Sequence, residues 1–493
     1  MNRRNMILAM VMALMMCCQW LAAEVYHRVQ PGETLYSLAK QYGVTVEAIQ
    51  AANPQINGTN IPAGYPLAIP AAEAATSTQG AVSTQGNLGV LNPAQSVTVP
   101  GYQYSAELSV GDHWTDGTLT LAVIMPFNLS GTTAEENKTQ MRSVEFYQGV
   151  LMAVDDIQKT GRRVTVQAYD LGSESLNSIL ANPQLLRCDF IIAPMEEAEV
   201  RQVASWGEAH GTPVVSPFVF NAQMIEEYEH LFQINTQKSM LYPQLSEEIL
   251  SRFRDYTFVF LTDTKGAQKA DPYPALLRQE LKKNNIAYKE LSYAAPEPLM
   301  ACDSILGLMD ADIMFVPVTP QQEALRRMFS GLQHVKILRD SRYQLALTEG
   351  TVQATDRRPL MSVLGYPEWL LYTHDFVDYY YDLNVYMFSK VYVNPFDEDV
   401  KRFYADFKFW YAKEPMSLIP KYGILGYDVT KFFLQSLGRH GQHIEERLNG
   451  ELGESLQTVL SFRRDEIGKG LYNHGLYLVH FTPDSKIEKI IIK

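Results

Sequence analysis

The side chains able to do chemistry are thinly spread along this chain. Ten histidines occur, but His210, His440, His443, His474 and His480 are scattered. The Cys or Asp spacing that a zinc site needs is missing. The adjacent acids Asp155-Asp156 and Glu196-Glu197 fit solvated helix ends better than the opposed carboxylates of a glycosidase. No Walker loop, G-x-G-x-x-G, G-x-S-x-G or H-E-x-x-H is present. Tyr379, Tyr380 and Tyr381, with Tyr386, Phe388 and Tyr392, have the rings to stack on sugars. At their helical spacing they fit helix packing better. The pattern predicts a binding protein, not an enzyme, with no cofactor and no metal.

The residues best placed to bind are Phe127, Asn128, Met195, Glu196, Ser216 and Phe218. They lie at or just past the ends of strand-like runs, and open α/β sheets bind ligands at the carboxyl ends of strands. LTLAVIMPF (119–127) is nearly continuous apolar sequence, as in a buried parallel strand. A helix over 139–160 follows, carrying Met141, Val144, Tyr147, Gln148, Leu151 and Val154. VTVQAYD, DFIIAP and TPVVSP then alternate with helical segments, which implies parallel βαβ units. The pattern restarts at LFQINT (231–236) and runs through TFVFLTD, IAYKELSY, DIMFVPVT and LMSVLGYPEWL, with a helix over 321–332. Residues 376–440 read as helical and aromatic, and the final segments FRRD, LYLVHFTP and KIIIK as antiparallel β.

This body, residues 118–493, resembles the type I periplasmic-binding-protein fold, the class of branched-chain amino-acid receptors. The resemblance rests on three features: Phe146-Tyr147-Gln148-Gly149 after the first strand; PVVSP after Gly211; and the run from Phe409 and Tyr411 to Tyr422, Gly423, Gly426, Tyr427 and Asp428. It implies a two-lobed, doubly wound α/β body. The expected division is lobe 1 at about 118–235 and 371–445, and lobe 2 at about 236–370 and 446–493. In such receptors small hydroxyl residues after the third strand hold the ligand's carboxylate. Here Pro194-Met195-Glu196-Glu197 stands in that place. Two acids repel a carboxylate and favour a cationic ligand or none.

Ahead of the body lies a small unit, residues 24–70. Val25–Val29 reads as a strand, with a turn at Pro31-Gly32. Thr34 caps a helix whose Leu35, Leu38, Ala39 and Tyr42 share one face. Gly43 stops it, and Thr45 opens a second helix with Val46 and Ile49 inward. Residues 65–70 close the unit as a strand. The order strand–helix–helix–strand, and the motif through Tyr26, Val29, Gly32, Glu33, Thr34, Leu35, Leu38 and Ala39, resemble the LysM module. That resemblance implies binding of glycans that contain N-acetylglucosamine, above all peptidoglycan. It places the glycan in a groove between Gly32, Glu33, Thr34 and Leu35 on one wall and Gln55, Ile56, Asn57 and the neighbourhood of Ile61 on the other. The chemistry agrees: Gly32 lets the backbone approach a sugar, and Leu35, Ile56 and Ile61 offer an apolar floor to the acetyl methyl.

Residues 71–117 repeat STQG at 77–80 and 83–86 and read as a flexible linker. Such a tract spans roughly 35–40 Å on average. Residues 1–23 begin with Arg3-Arg4, run apolar and end at Leu21-Ala22-Ala23, as a signal peptide does. Lipidation at Cys17 or Cys18 fits less well, because Met16 precedes Cys17 where a small residue is needed. Cys188 and Cys302 read as two buried thiols in different lobes, although an oxidising compartment permits a disulfide. The net charge of -13 excludes a nucleic-acid partner, and no later apolar run spans a bilayer. The expectation is an exported, periplasmic, cell-wall-associated protein whose small module holds peptidoglycan glycan strands. Its body would bind a small ligand or a wall-synthesis protein. The alternatives are a substrate receptor for an amino-acid-type ABC transporter and a regulator of peptidoglycan synthases.

Overall fold

A computed structural model describes residues 25–28, 38, 48–50, 53, 66–69, 118–127, 134–265, 269–308, 311–353, 358–441, 444–448, 450–453, 455–464 and 468–492. The expected signal peptide, linker and cysteines 17 and 18 lie outside these residues. The chain divides into two units, Met1–Ala106 and Glu107–Lys493.

In the first unit β1 (Val25–Arg28) pairs antiparallel with β2 (Pro66–Ile69), Val25 opposite Ile69 and Arg28 opposite Pro66. Between them Leu38 and residues 48–50 are helical. Leu38 and Ile49 are fully buried, as the helical spacing predicts. Asn53 is buried too; its Nδ2 donates to the Ile49 carbonyl at 2.7 Å and so closes off the second helical segment.

The second unit is built on two sheets. The first contains β3 (Leu119–Met125), β4 (Val164–Asp170), β5 (Phe190–Ile192), β6 (Val214–Ser216), β7 (Leu231–Gln233), β13 (Leu452–Gly453), β14 (Leu460–Arg463) and β15 (Leu471–Asn473), in the order β13-β14-β15-β7-β6-β5-β3-β4. It is parallel from β4 to β15 and antiparallel beyond. The second contains β8 (Thr257–Asp263), β9 (Tyr288–Tyr293), β10 (Ile313–Pro317), β11 (Met361–Gly365), β12 (Val385–Ser389), β16 (Leu476–Phe481) and β17 (Ile487–Ile492), in the order β17-β16-β12-β11-β10-β8-β9. It is parallel from β9 to β12, with β16 and β17 antiparallel. Central strands such as β10 are buried at every position. That is why they read as unbroken apolar runs without alternation.

The chain passes between the sheets three times: from β7 to the helix Tyr242–Arg252, from β12 to the helix Glu398–Tyr411, and from β15 to β16 through His474 and Gly475. Two sheets with a three-stranded passage make the expected two-lobed α/β body. Sheet membership, however, differs from the expected lobe division. The helix Thr373–Asp382 and β12 belong to the second lobe, where Phe376, Tyr380, Met387 and Phe388 enter its core. The strands β13, β14 and β15 belong to the first sheet, not the second. The reason is local. Residues 376–392 read as one helix, but Asn384 adopts the left-handed conformation (φ 53) and ends it. VYMFS then runs as a parallel strand beside β11. The expected helix over 321–332 extends much further, across Gln322–Thr348.

The first lobe is held by a close crossing of the helices Ala134–Lys159 and Tyr422–His440. Gly149 and Gly426 face the partner helix so closely that a Cβ on Gly149 would lie 1.8 Å from the Gly423 carbonyl oxygen, and one on Gly426 2.0 Å from that of Phe146. Beside the crossing Glu145 is fully buried. Its carboxylate accepts from the Met416 N–H at 2.6 Å and the Gly423 N–H at 3.3 Å. An acid at mid-helix thus fastens the start of the second helix to the first.

Candidate functional site

Of the six residues expected at the carboxyl ends of the first sheet, five are described; Asn128 is not. The helix Ala134–Lys159 gathers three of them. Phe127, just past β3, has its ring 5.1 Å from Tyr147 and donates its N–H to Asp170 Oδ1 at 2.8 Å. Met195, past β5, accepts at sulfur from the Ser143 hydroxyl at 3.5 Å. Phe218, past β6, meets Phe146 edge-on at 5.1 Å and stacks on Tyr422 at 5.8 Å. The Arg142 guanidinium lies 5.8 Å from the Tyr422 ring. Phe127, Tyr147, Phe218 and Tyr422 are all half-buried, so this lip of the lobe is a tier of rings.

Two expected residues stand apart. Ser216 is fully buried and its hydroxyl donates to the Val219 carbonyl at 3.1 Å, within its own loop. Glu196 is exposed at the start of the helix Glu197–His210, and its side chain makes no capping bond there. Neighbouring Glu197 accepts from Asn221 Nδ2 at 2.6 Å. The lip therefore offers rings and rim acids, and the hydroxyl of Ser216 is already committed within its loop.

A second cluster lies where the carboxyl ends of the two sheets meet. Lys390 directly follows β12; Asn235, Thr236 and Lys238 follow β7. The Lys390 ammonium donates to Asn235 Oδ1 at 2.8 Å and to the Thr236 carbonyl at 2.6 Å. Lys238 donates to Asp271 Oδ2 and Glu368 Oε1, both at 2.8 Å. Asp271 also accepts from the Tyr242 hydroxyl and the Tyr273 N–H, each at 2.9 Å. Burial pulls Lys238 down, but its two carboxylates outweigh that and hold it above its ordinary value. Lys390 has no such compensation: burial first, and the charge of Lys238 second, pull it down to about 8. Sequence reading missed this cluster. The signal was present, since reading VYMFS as a strand puts Lys390 at its carboxyl end.

Hydrogen bonds bind the three passages together. The Thr236 hydroxyl donates to the Asn473 carbonyl. The Tyr392 N–H donates to the Gln457 carbonyl at 2.9 Å. His474, in the third passage, bridges the Ser461 hydroxyl of the first sheet (3.2 Å) and Gln244 of the second lobe (3.3 Å). Burial pulls its imidazole below the ordinary value, and Arg463 acts in the same direction. Asp428, fully buried, accepts from the N–H groups of Leu456, Gln457 and Thr458 at 2.8, 2.9 and 3.1 Å. Burial pushes it up to about 6 against the pull of those donors.

The tyrosine run is packing material: Tyr380 is buried against Trp369, and Phe329 stacks on Tyr379. Cys188 and Cys302 are free and buried. Among the described residues, no group of three His, Cys, Asp or Glu could hold a metal ion, and no helix is long and apolar enough to cross a membrane. The groove residues Gly32, Glu33, Thr34, Leu35, Gln55, Ile56, Asn57 and Ile61 lie outside the described residues.

Residues 27–70 match the LysM domain family. The chain therefore carries a LysM domain, and the paired strands β1 and β2 fall at its two ends. No curated protein matches the chain in sequence. Among solved structures, the chain is similar to an ABC transporter substrate-binding protein from Desulfitobacterium hafniense in complex with Leu: 14% identity, 76% of this chain and 100% of that one, TM-score 0.38. It is also similar to the branched-chain amino acid transporter substrate-binding protein LivJ from Streptococcus pneumoniae in complex with isoleucine, at 15% identity over 76% and 100%, TM-score 0.36. A third is the C-domain of LpoA from Haemophilus influenzae, a regulator of PBP1A, at 10% identity over 75% and 99%, TM-score 0.41.

Proposed function

We propose that this is a non-enzymatic, exported protein of the periplasm and cell wall. Its LysM domain holds glycan strands containing N-acetylglucosamine and tethers a two-lobed body that binds a small ligand or a protein partner at the carboxyl ends of its sheets. The LysM match over residues 27–70 carries the reading. The glycan is taken by Gly32, Glu33, Thr34 and Leu35 opposite Gln55, Ile56, Asn57 and Ile61. A single LysM copy gives weak attachment that gains from many tethered molecules on one wall. The test is sedimentation with purified sacculi. The chain binds, and the chain without residues 24–70 stays in solution. Undiminished sedimentation of the shortened chain would refute the reading.

The first-lobe lip argues against an amino-acid receptor of the usual kind. There the ligand carboxylate needs free hydroxyls, whereas Ser216 is bonded to Val219 and Met195 and Glu196 occupy the loop after β5. A wall-synthesis protein as partner is the reading that needs no such hydroxyls. A neighbouring permease gene would favour the receptor, and neighbouring wall-synthesis genes the regulator.

A further inference from the structure

We propose that Lys390 anchors a small-oxyanion site at the seam of the two lobes, taking the carboxylate or phosphate group of a ligand. The proposal rests on reading the body as a binding domain, and it names the chemistry of what is bound.

Position comes first. Lys390 stands at the carboxyl end of β12 in the second sheet, and Asn235 and Thr236 stand just past β7 in the first. Carboxyl ends of parallel strands, where two halves of an α/β protein meet, are where ligands sit. Coordination comes second. An ammonium has three N–H donors. Two are taken, by Asn235 Oδ1 and the Thr236 carbonyl, and both acceptors are neutral. One donor remains, on a half-buried group.

Charge balance comes third. Among the described residues no carboxylate pairs with Lys390. The nearby acids Asp271 and Glu368 are held by Lys238. The charged group that acts on Lys390 is Lys238 itself, which repels it; Asn235 and Thr236 do not titrate. A half-buried charge without a counter-charge is unfavourable, and such groups gather at functional sites. An arriving oxyanion would supply the missing charge and accept the third N–H. The site also accounts for the departure in the first lobe. With acids exposed at Glu196 and Glu197, a ligand's anionic end is repelled there and attracted at Lys390, whose partner Asn235 donates to the Phe218 carbonyl at 2.7 Å.

The experiment is thermal unfolding of the full chain with inorganic phosphate in one arm and succinate in the other, against sodium chloride at matched ionic strength. At least one oxyanion should raise Tm saturably at pH 7. Lys390→Met should weaken that binding by about tenfold or more, the worth of a charge-assisted hydrogen bond, and Lys390→Arg should keep it. Binding to the wild type should fall as pH rises through about 8, because the ammonium is lost, and binding to Lys390→Arg should not. Tm shifts no larger than chloride's in both arms, or an undiminished shift in Lys390→Met, would overturn the proposal. If Lys390→Met fails to fold, the Arg comparison decides: the same loss above pH 8 in both proteins would overturn it. Sacculus binding is unaffected by any of these outcomes, so failure here and failure of the wall-tether reading are separable.

Discussion

Replacing Gly149 by alanine should destabilise the body, although helix propensity alone predicts the reverse. In an exposed helix the change stabilises by about 1 kcal/mol. Here the new methyl would lie 1.8 Å from the Gly423 carbonyl oxygen and 2.9 Å from the Tyr427 nitrogen. Ordinary carbon–oxygen contacts begin near about 3.3 Å, so the helices Ala134–Lys159 and Tyr422–His440 would have to part by roughly 1.5 Å. Both opposing atoms are backbone and cannot rotate aside as a side chain would. Overpacking costs about 1–3 kcal/mol, and this site belongs at the upper end; after the propensity gain the net loss is about 2 kcal/mol. With a urea slope of about 3 kcal/mol/M the midpoint should fall by roughly 0.7 M. Gly426→Ala should behave alike, its methyl falling 2.0 Å from the Phe146 carbonyl oxygen. The same shift would pull Tyr422 away from Phe218, with which it stacks at 5.8 Å. A midpoint unchanged or raised in Gly149→Ala would refute the close crossing and the positioning of the lip that depends on it.

Asp428→Asn should cost about 1–3 kcal/mol at pH 7, because an amide cannot accept from all three N–H groups of residues 456–458 and leaves one buried donor unpaired. The folded carboxyl sits at about 6, above its unfolded value near 3.9, so the folded state binds more protons between those values. Wild-type stability from this group therefore rises as pH falls from about 6 to 4. Urea midpoints should show the gap between wild type and variant widening over that window, and a gap that narrows contradicts the assignment. Lys238→Met should destabilise the second lobe by about 1–3 kcal/mol, since Asp271 stays buried but loses its ammonium partner; calorimetry measures it, and an unchanged Tm counts against the ion cluster. Cys188 and Cys302, whose thiols burial pushes up to about 12, should resist a thiol reagent at pH 8 in the folded protein and react fully in urea.

The sequence by itself determined the kinds of part and their order. Leu38 and Ile49, each turned inward by the spacing within its own helical segment, are buried as expected, because a helix brings i, i+3 and i+4 together whatever surrounds it. Runs such as LTLAVIM announced parallel strands, because only a strand covered on both faces is apolar throughout. The lip residues Phe127, Met195 and Phe218 were legible for the same reason: each follows such a run. What the sequence left open was which sheet each late segment joins. VYMFS, with its aromatic residues, follows a helical stretch of tyrosines, and only the left-handed turn at Asn384 and the pairing with β11 make it a strand. β15 lies beside β7 only through pairing across more than two hundred residues, a choice set by packing and not by local pattern. The tertiary structure alone decided that Lys390, Asn235 and Lys238 meet, since three passages between sheets converge there. Local sequence carries the period of an element; which ends come together depends on how whole sheets stack and cross.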